Sequence, residues 1–311
     1  MILEFGAAIG AAIVIGIVVY IIKNRKKKEE NFVTHTPTNR VPAKRAVLVG
    51  INKYKPELNA DLKGCVNDVE AMRDLLIKFF GFSAEDIRVL CDDRATKAAI
   101  LERLSWLIGE AVPGDVLVFH YSGHGSQVRD RDGDELADNL DEILCPYDLD
   151  WDDPLTDDII GAVFDKVPAG ASLIMICDAC HSGTMTKELL GGASNPSEIR
   201  AKFIMPPFDI KARTLGRDIP KTHMRTVTRG SQRHVLLSGC KDDQTSADAT
   251  FEGVPQGALT WATVESIKVN PNVTWTELYS KILNRISGRF IQTPQLSGDT
   301  DLLGGKIFKG A

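Results

Sequence analysis

A chain of 311 residues, 43% hydrophobic and 25% charged, has the size and composition of one large α/β domain or two small ones. Its net charge of −5 gives no electrostatic ground for nucleic-acid binding. Six cysteines (65, 91, 145, 177, 180 and 240) are too sparse for a small disulfide scaffold and fit a reducing compartment, where a thiol is free to act as a nucleophile.

The first element is apolar. Phe5 to Ile22 carries no charge, and eighteen helical residues span roughly 27 Å, close to the hydrocarbon thickness of a bilayer. Lys23, Arg25, Lys26, Lys27 and Lys28 follow it, whereas a secretory signal has its positive charge in front. Residues 1–28 are therefore expected to be a transmembrane anchor with a basic flank, leaving the globular part on the cytoplasmic side. Residues 29–44, with Thr, Asn and two prolines, form a linker.

From residue 45 onward strand and helix patterns alternate. Ala46–Val49, Ile87–Leu90, Val116–Phe119, Leu173–Ile176 and His234–Leu237 are apolar runs of strand length. Between them, Val69, Met72, Leu76 and Phe79 repeat at helical spacing, with Asn67 or Asp68 as the N-cap. Ile100, Leu101, Leu104, Leu107 and Ile108 mark a second helix, and residues 158–167 a third. Thr274-Trp275-Thr276-Glu277 is a capping box opening a helix to about Ile286. This alternation predicts a mostly parallel sheet with helices on both faces. Residues 184–233 break it, with few apolar runs and ten Lys or Arg residues, and are expected to be a long basic loop.

Two polar segments stand just past strand ends: Tyr121-Ser122-Gly123-His124-Gly125 and Asp178-Ala179-Cys180-His181-Ser182-Gly183. Reactive groups gather at the carboxyl edge of such a sheet. An imidazole there can take a thiol's proton and later protonate the leaving amine. His181 is adjacent to Cys180, so their side chains diverge, and His120 lies inside the strand run and is expected to be packed. His35 is in the linker, His223 and His234 are in or beside the basic loop, and His124 lies between two glycines in a tight turn beyond a strand end. The amides of Gly125 and Cys180 could face a developing oxyanion.

The segments resemble the caspase-like cysteine peptidases, and within them the metacaspase and orthocaspase branch. The resemblance runs from about Arg45 to Phe308. Its markers are Ala46–Asn52, Leu62–Asp68, Tyr121–Gly125, Asp178–Gly183, Ser238–Asp248 and Gln292–Ser297, in family order. It implies a caspase-like fold, with a large-subunit-like region (45–183) and a small-subunit-like region (234–311) on one chain. It implies that His124 and Cys180 are the catalytic dyad. It also implies that Cys65, Asp68, Ser122 and Asp178 line the pocket for the residue before the cut bond. Two carboxylates there would attract Arg or Lys, with Arg favoured by bidentate pairing, and repel Asp. The substrates expected are thus proteins or peptides with Arg or Lys before the cut bond. From sequence alone Asp68 serves equally well as a helix cap.

Residues 130–158 hold thirteen acids. Asp141, Asp157 and Asp158 match calcium-binding positions of related metacaspases. The family's fourth ligand position falls on Lys187, which cannot coordinate; Glu188 stands beside it. Calcium is therefore expected only as an activator, the chemistry itself needing no cofactor. The stretch is not an EF-hand, because Glu135 stands where glycine is required. An enzyme cutting after basic residues could also cut its own loop, which carries Lys211, Arg213, Arg217, Lys221, Arg225 and Arg229. Two other readings remain open: a thiol oxidoreductase using Cys177-Asp178-Ala179-Cys180, and a caspase-like adaptor without activity.

Overall fold

The computed structural model describes residues 40–129, 140–180, 199–213, 234–241 and 244–309. The apolar run Phe5–Ile22 lies outside them. So do Lys187, Glu188 and four of the basic residues considered for self-cutting: Arg217, Lys221, Arg225 and Arg229. Among the described residues no helix is long and apolar enough to cross a membrane.

Six strands form the central sheet: β1 (Lys44–Gly50), β2 (Ile87–Cys91), β3 (Val116–Ser122), β7 (Ser172–Asp178), β9 (His234–Ser238) and β12 (Gln295–Gly298). Their spatial order is β12-β9-β7-β3-β1-β2, all parallel except β12, which runs antiparallel to β9. The first five are the five apolar runs seen in the sequence. Every residue of β3 is buried, which is why its run does not alternate.

The pleat sorts these side chains between two cores. Val47, Val49, Leu117, Phe119 and Leu173 face helices α2 (Lys97–Gly109) and α3 (Asp157–Phe164). Ala46, Leu48, Val118, Ile174, Ile176 and Leu237 face α1 (Cys65–Phe80), α5 (Ala258–Val269) and α6 (Trp275–Ile286). Burying each large aliphatic side chain contributes about 1.5–3 kcal/mol, so both layers are needed to hold the sheet. The sandwich of helix, sheet and helix is the expected α/β architecture.

Three local expectations change. The N-cap of α1 is Gly64, not Asn67 or Asp68. Asp68 lies within the first turn, and its carboxylate is turned away from the helix end toward Ser122 and Gly257. The third helix begins one residue earlier than expected and ends at Phe164, with the Thr156 side chain capping Ile159 N–H. The basic loop is not uniformly irregular: its described part contains β8 (Arg200–Ala201) and the short helix α4 (Phe208–Arg213). The capping box at Thr274 and Glu277 is present with both hydrogen bonds.

Two small antiparallel sheets were not evident in the sequence. One has the order β4-β5-β6, with β4 (Gly125–Arg129), β5 (Leu140–Leu144) and β6 (Leu155–Thr156). The other has the order β11-β10-β8, with β10 (Ala247–Phe251) and β11 (Val254–Gly257).

Candidate active site

Register places the polar segments side by side. Gly50 pairs with Ser122, and Ser122 with Asp178, so the carboxyl ends of β1, β3 and β7 are level. His124 follows β3 by two residues and Cys180 follows β7 by two.

His124 is fixed from several directions. Its main-chain N–H donates to the Tyr54 hydroxyl at 2.8 Å, and its carbonyl accepts from the Tyr121 hydroxyl at 2.8 Å. The Tyr54 and His124 rings lie 4.9 Å apart. Nε2 is 2.7 Å from the Ala60 carbonyl, so that nitrogen carries the proton and Nδ1 is the basic one. Nδ1 is buried and has no hydrogen-bond partner. Burial pushes the imidazole down to about 4.

Cys180 is fully buried. Its Sγ accepts the Ser246 main-chain N–H and lies 3.4 Å from the Ser246 carbonyl. Burial, followed by the neighbouring Cys240 thiol, pushes its thiol well above the ordinary range. Cysteine and histidine are therefore both neutral here. Cys177 also precedes Cys180 in sequence, but its side chain packs in the core and both thiols are free. This arrangement gives the dithiol reading no support.

One segment of the chain's own basic region runs through the centre of this arrangement. β8 pairs antiparallel with β10, Ala201 opposite Ala247 and Arg200 opposite Asp248. The Lys202 N–H donates to the Ser246 carbonyl at 3.0 Å. The Lys202 carbonyl accepts from Gly125 N–H at 3.0 Å and Cys180 N–H at 3.2 Å. These are the two amides expected to face an oxyanion. Beyond it, Ile204 N–H donates to the Gly125 carbonyl at 3.1 Å, and the Ser126 hydroxyl donates to the Ile204 carbonyl at 2.6 Å.

The Lys202 side chain is wholly buried and enters a pocket of acids. Its Nζ lies 2.9 Å from Ser122 Oγ, 3.1 Å from Asp178 Oδ1 and 3.4 Å from Asp68 Oδ2. Asp178 also accepts from the main chain and hydroxyl of Thr260, each at 2.8 Å, and from the Ser246 hydroxyl at 2.8 Å. Asp68 accepts from Ser122 Oγ at 2.7 Å and from Gly257 N–H at 2.9 Å.

Burial works against the charge of Asp178, but the Lys202 ammonium and the Thr260 and Ser246 donors outweigh it and hold the acid below its usual range. Burial pushes Asp68 up, with the Asp178 charge adding to it against the pull of Lys202. Burial works against the Lys202 charge too, but Asp178, then Cys65, Asp68 and Asp248, keep the amine well above its ordinary value. The Cys65 thiol, beside Ser122 and Lys202, is pushed up by burial. Of the four residues expected in the pocket, Ser122, Asp178 and Asp68 contact this ammonium.

Asp141 is buried in β5, and Asp157 and Asp158 form the first turn of α3. Among the described residues no group of three His, Cys, Asp or Glu side chains could hold a metal ion. Lys187 and Glu188, at the expected fourth ligand position, and residues 130–139 of the acidic stretch lie outside the described residues.

A family model described as metacaspase, peptidase C14 domain, matches residues 44–188. The chain is 38% identical over 298 residues to metacaspase-1B of Neurospora crassa, spanning 83% of this chain and 68% of that one. The chain belongs to the metacaspase family of cysteine-type peptidases. Metacaspase-1 of Coccidioides immitis is 35% identical, with 84% of this chain and 63% of the relative covered, so the chain spans about two thirds of these curated metacaspases. Among solved structures, a Geobacter sulfurreducens protein superposes with a TM-score of 0.63 at 24% identity, covering 86% of this chain and 99% of that one. Caspase-1 of Spodoptera frugiperda superposes with a TM-score of 0.53 at 13% identity, covering 86% and 96%. At those identities the likeness shows a shared caspase-like fold.

Sequence reasoning missed several residues of this metacaspase's site. Ser246 and Asp248 lie in a marker segment, but nothing local announced that Ser246 would contact both Cys180 and Asp178. Thr260 and Gly257 come from the start of α5, and Tyr54 and Ala60 from the connection after β1. Lys202 was one of ten basic residues in the loop and was not among those singled out for self-cutting.

Proposed function

We propose that this cysteine peptidase cuts polypeptides after lysine or arginine, with Cys180 as nucleophile and His124 as base, and that its own Lys202–Phe203 bond is a substrate. The observation that carries the reading is the seating of Lys202: ammonium among Ser122, Asp178 and Asp68, carbonyl oxygen on the amides of Gly125 and Cys180.

The Cys180 sulfur attacks the carbonyl carbon of the basic residue while its proton passes to His124 Nδ1, since Nε2 is engaged by Ala60. The negative charge forming on oxygen is met by the two amides. The C–N bond then breaks, the amine leaves with the proton from the imidazolium, and a thioester remains. Water, deprotonated by the same imidazole, cleaves the thioester, releases the new carboxyl terminus and restores the thiol.

Turnover of lysyl, arginyl and aspartyl fluorogenic peptides by the full chain, with Cys180→Ala as control, tests this. Cutting after Lys and Arg that disappears in the variant is expected. Faster turnover of the aspartyl peptide contradicts the specificity, and unchanged turnover by Cys180→Ala contradicts the nucleophile.

Two further parts rest on sequence. The apolar run and basic flank support a single-pass anchor with the peptidase facing the cytoplasm. Calcium activation is supported only by the matching positions of Asp141, Asp157 and Asp158. Equal activity in calcium and in chelator removes it.

A further inference from the structure

The pocket has a wall with no side chain. Gly257 is the last residue of β11 and the N-cap of α5, with φ −71° and ψ 138°. That is an extended conformation open to every L residue. Ser, Asp or Asn would cap the helix at least as well. Neither backbone nor capping requires glycine here. The space does. A Cβ at this position would overlap Lys202 Nζ and Asp178 Oδ2 and stand 2.7 Å from Asp68 Oδ2. The Gly257 N–H meanwhile donates to both Asp68 oxygens, at 3.0 and 2.9 Å. Its register partner on β10 is Asp248, another buried acid near the ammonium.

We propose that Gly257 is a specificity-determining residue: the side chain it lacks is the room in which a long basic side chain places its terminal charge between Asp68 and Asp178. Its backbone holds Asp68 in place, and its bare α-carbon sets how deep a cation can reach. The proposal rests on the reading of this pocket as the site for the residue before the cut bond.

The test is Gly257→Ala in the full chain, with peptides that differ only in the length of that residue. Lysine and ornithine both carry a terminal ammonium, but ornithine is one methylene shorter. The unaltered chain is expected to favour lysine. Gly257→Ala is expected to lose kcat/KM for the lysyl peptide by roughly 100-fold, as overfilling a packed site does. The ornithyl peptide is expected to lose much less, so that the ratio between the two shifts by about tenfold or more. An unchanged lysine-to-ornithine ratio, whatever the overall rate, overturns the proposal.

A second measurement covers a variant that is hard to fold. In the inactive Cys180→Ala background, thermal melts of Gly257→Ala, Lys202→Ala and the double variant form a cycle. Removing the Lys202 side chain should recover part of the stability that Gly257→Ala loses. Equal losses with and without that side chain overturn the proposal. If the unaltered chain cuts no lysyl peptide at all, the pocket reading fails. If it does and Gly257→Ala matches it, only this inference fails.

Discussion

The ammonium of Lys202 lies 3.1 Å from a carboxylate oxygen of Asp178, and both side chains are completely buried. A buried ion pair is tolerable only where the remaining hydrogen-bonding capacity of both partners is met. Here it is: Ser122 and Asp68 attend the ammonium, Ser246 and Thr260 the carboxylate. Under the proposed specificity, a substrate lysine or arginine takes the place of the Lys202 side chain.

Asp178→Asn should therefore be severe. Breaking a buried pair by removing one charge costs about 3–5 kcal/mol. The expected result is a fall of roughly 100-fold or more in kcat/KM for lysyl and arginyl peptides, carried largely by KM. Steady-state kinetics on both peptides checks it. A variant that retains full activity would place basic recognition elsewhere.

The dyad predicts the shape of a pH profile. Burial and the Cys240 thiol push Cys180 up, and burial pushes His124 down to about 4. In the closed chain the pair is therefore thiol and neutral imidazole, not thiolate and imidazolium. With the proton passing directly from Cys180 to His124, neither group titrates between about pH 6 and pH 8, so self-cutting should be level there and fall only as the imidazole protonates toward pH 4. A rate that rises about tenfold per pH unit across that range would mean that solvent, not His124, takes the thiol proton, and would contradict the dyad.

Tyr54 positions His124 through the main chain. Tyr54→Phe removes the acceptor of the His124 N–H, and a buried donor left unmet costs about 1–3 kcal/mol. A lower melting temperature and a turnover reduced by roughly tenfold are expected. Unchanged values in both measurements would mean that the hydroxyl has no positioning role.

The sheet and much of the site could be read from sequence because buried parallel strands are short apolar runs with polar residues directly after them. Ser122, His124, Asp178 and Cys180 all follow that rule. Asp68 was ambiguous because an acid in the first turn of a helix serves as well for a cap as for a pocket, and only the fold shows which way its carboxylate turns. Ser246 stands just before β10, and Gly257 and Thr260 at the start of α5; their contacts with Asp178 and Asp68 span more than sixty residues of chain. No local pattern encodes such a meeting. Lys202 was hidden for another reason: β8 is two residues long and exists only because β10 offers it an edge.

The proposed anchor carries a separate prediction. The 311-residue chain should sediment with membranes and resist alkaline carbonate, and removing residues 1–28 should release it. A chain of residues 1–311 that stays in the supernatant contradicts the proposed anchor but leaves the peptidase untouched.

The most direct test of the account is intact mass and N-terminal sequencing of the purified full chain as it becomes active, beside Cys180→Ala. Self-cutting at Lys202 should give a fragment beginning at Phe203, formed by the unaltered chain and absent from the variant. An active chain that remains uncut between Lys202 and Phe203, or the same fragment from Cys180→Ala, would contradict it.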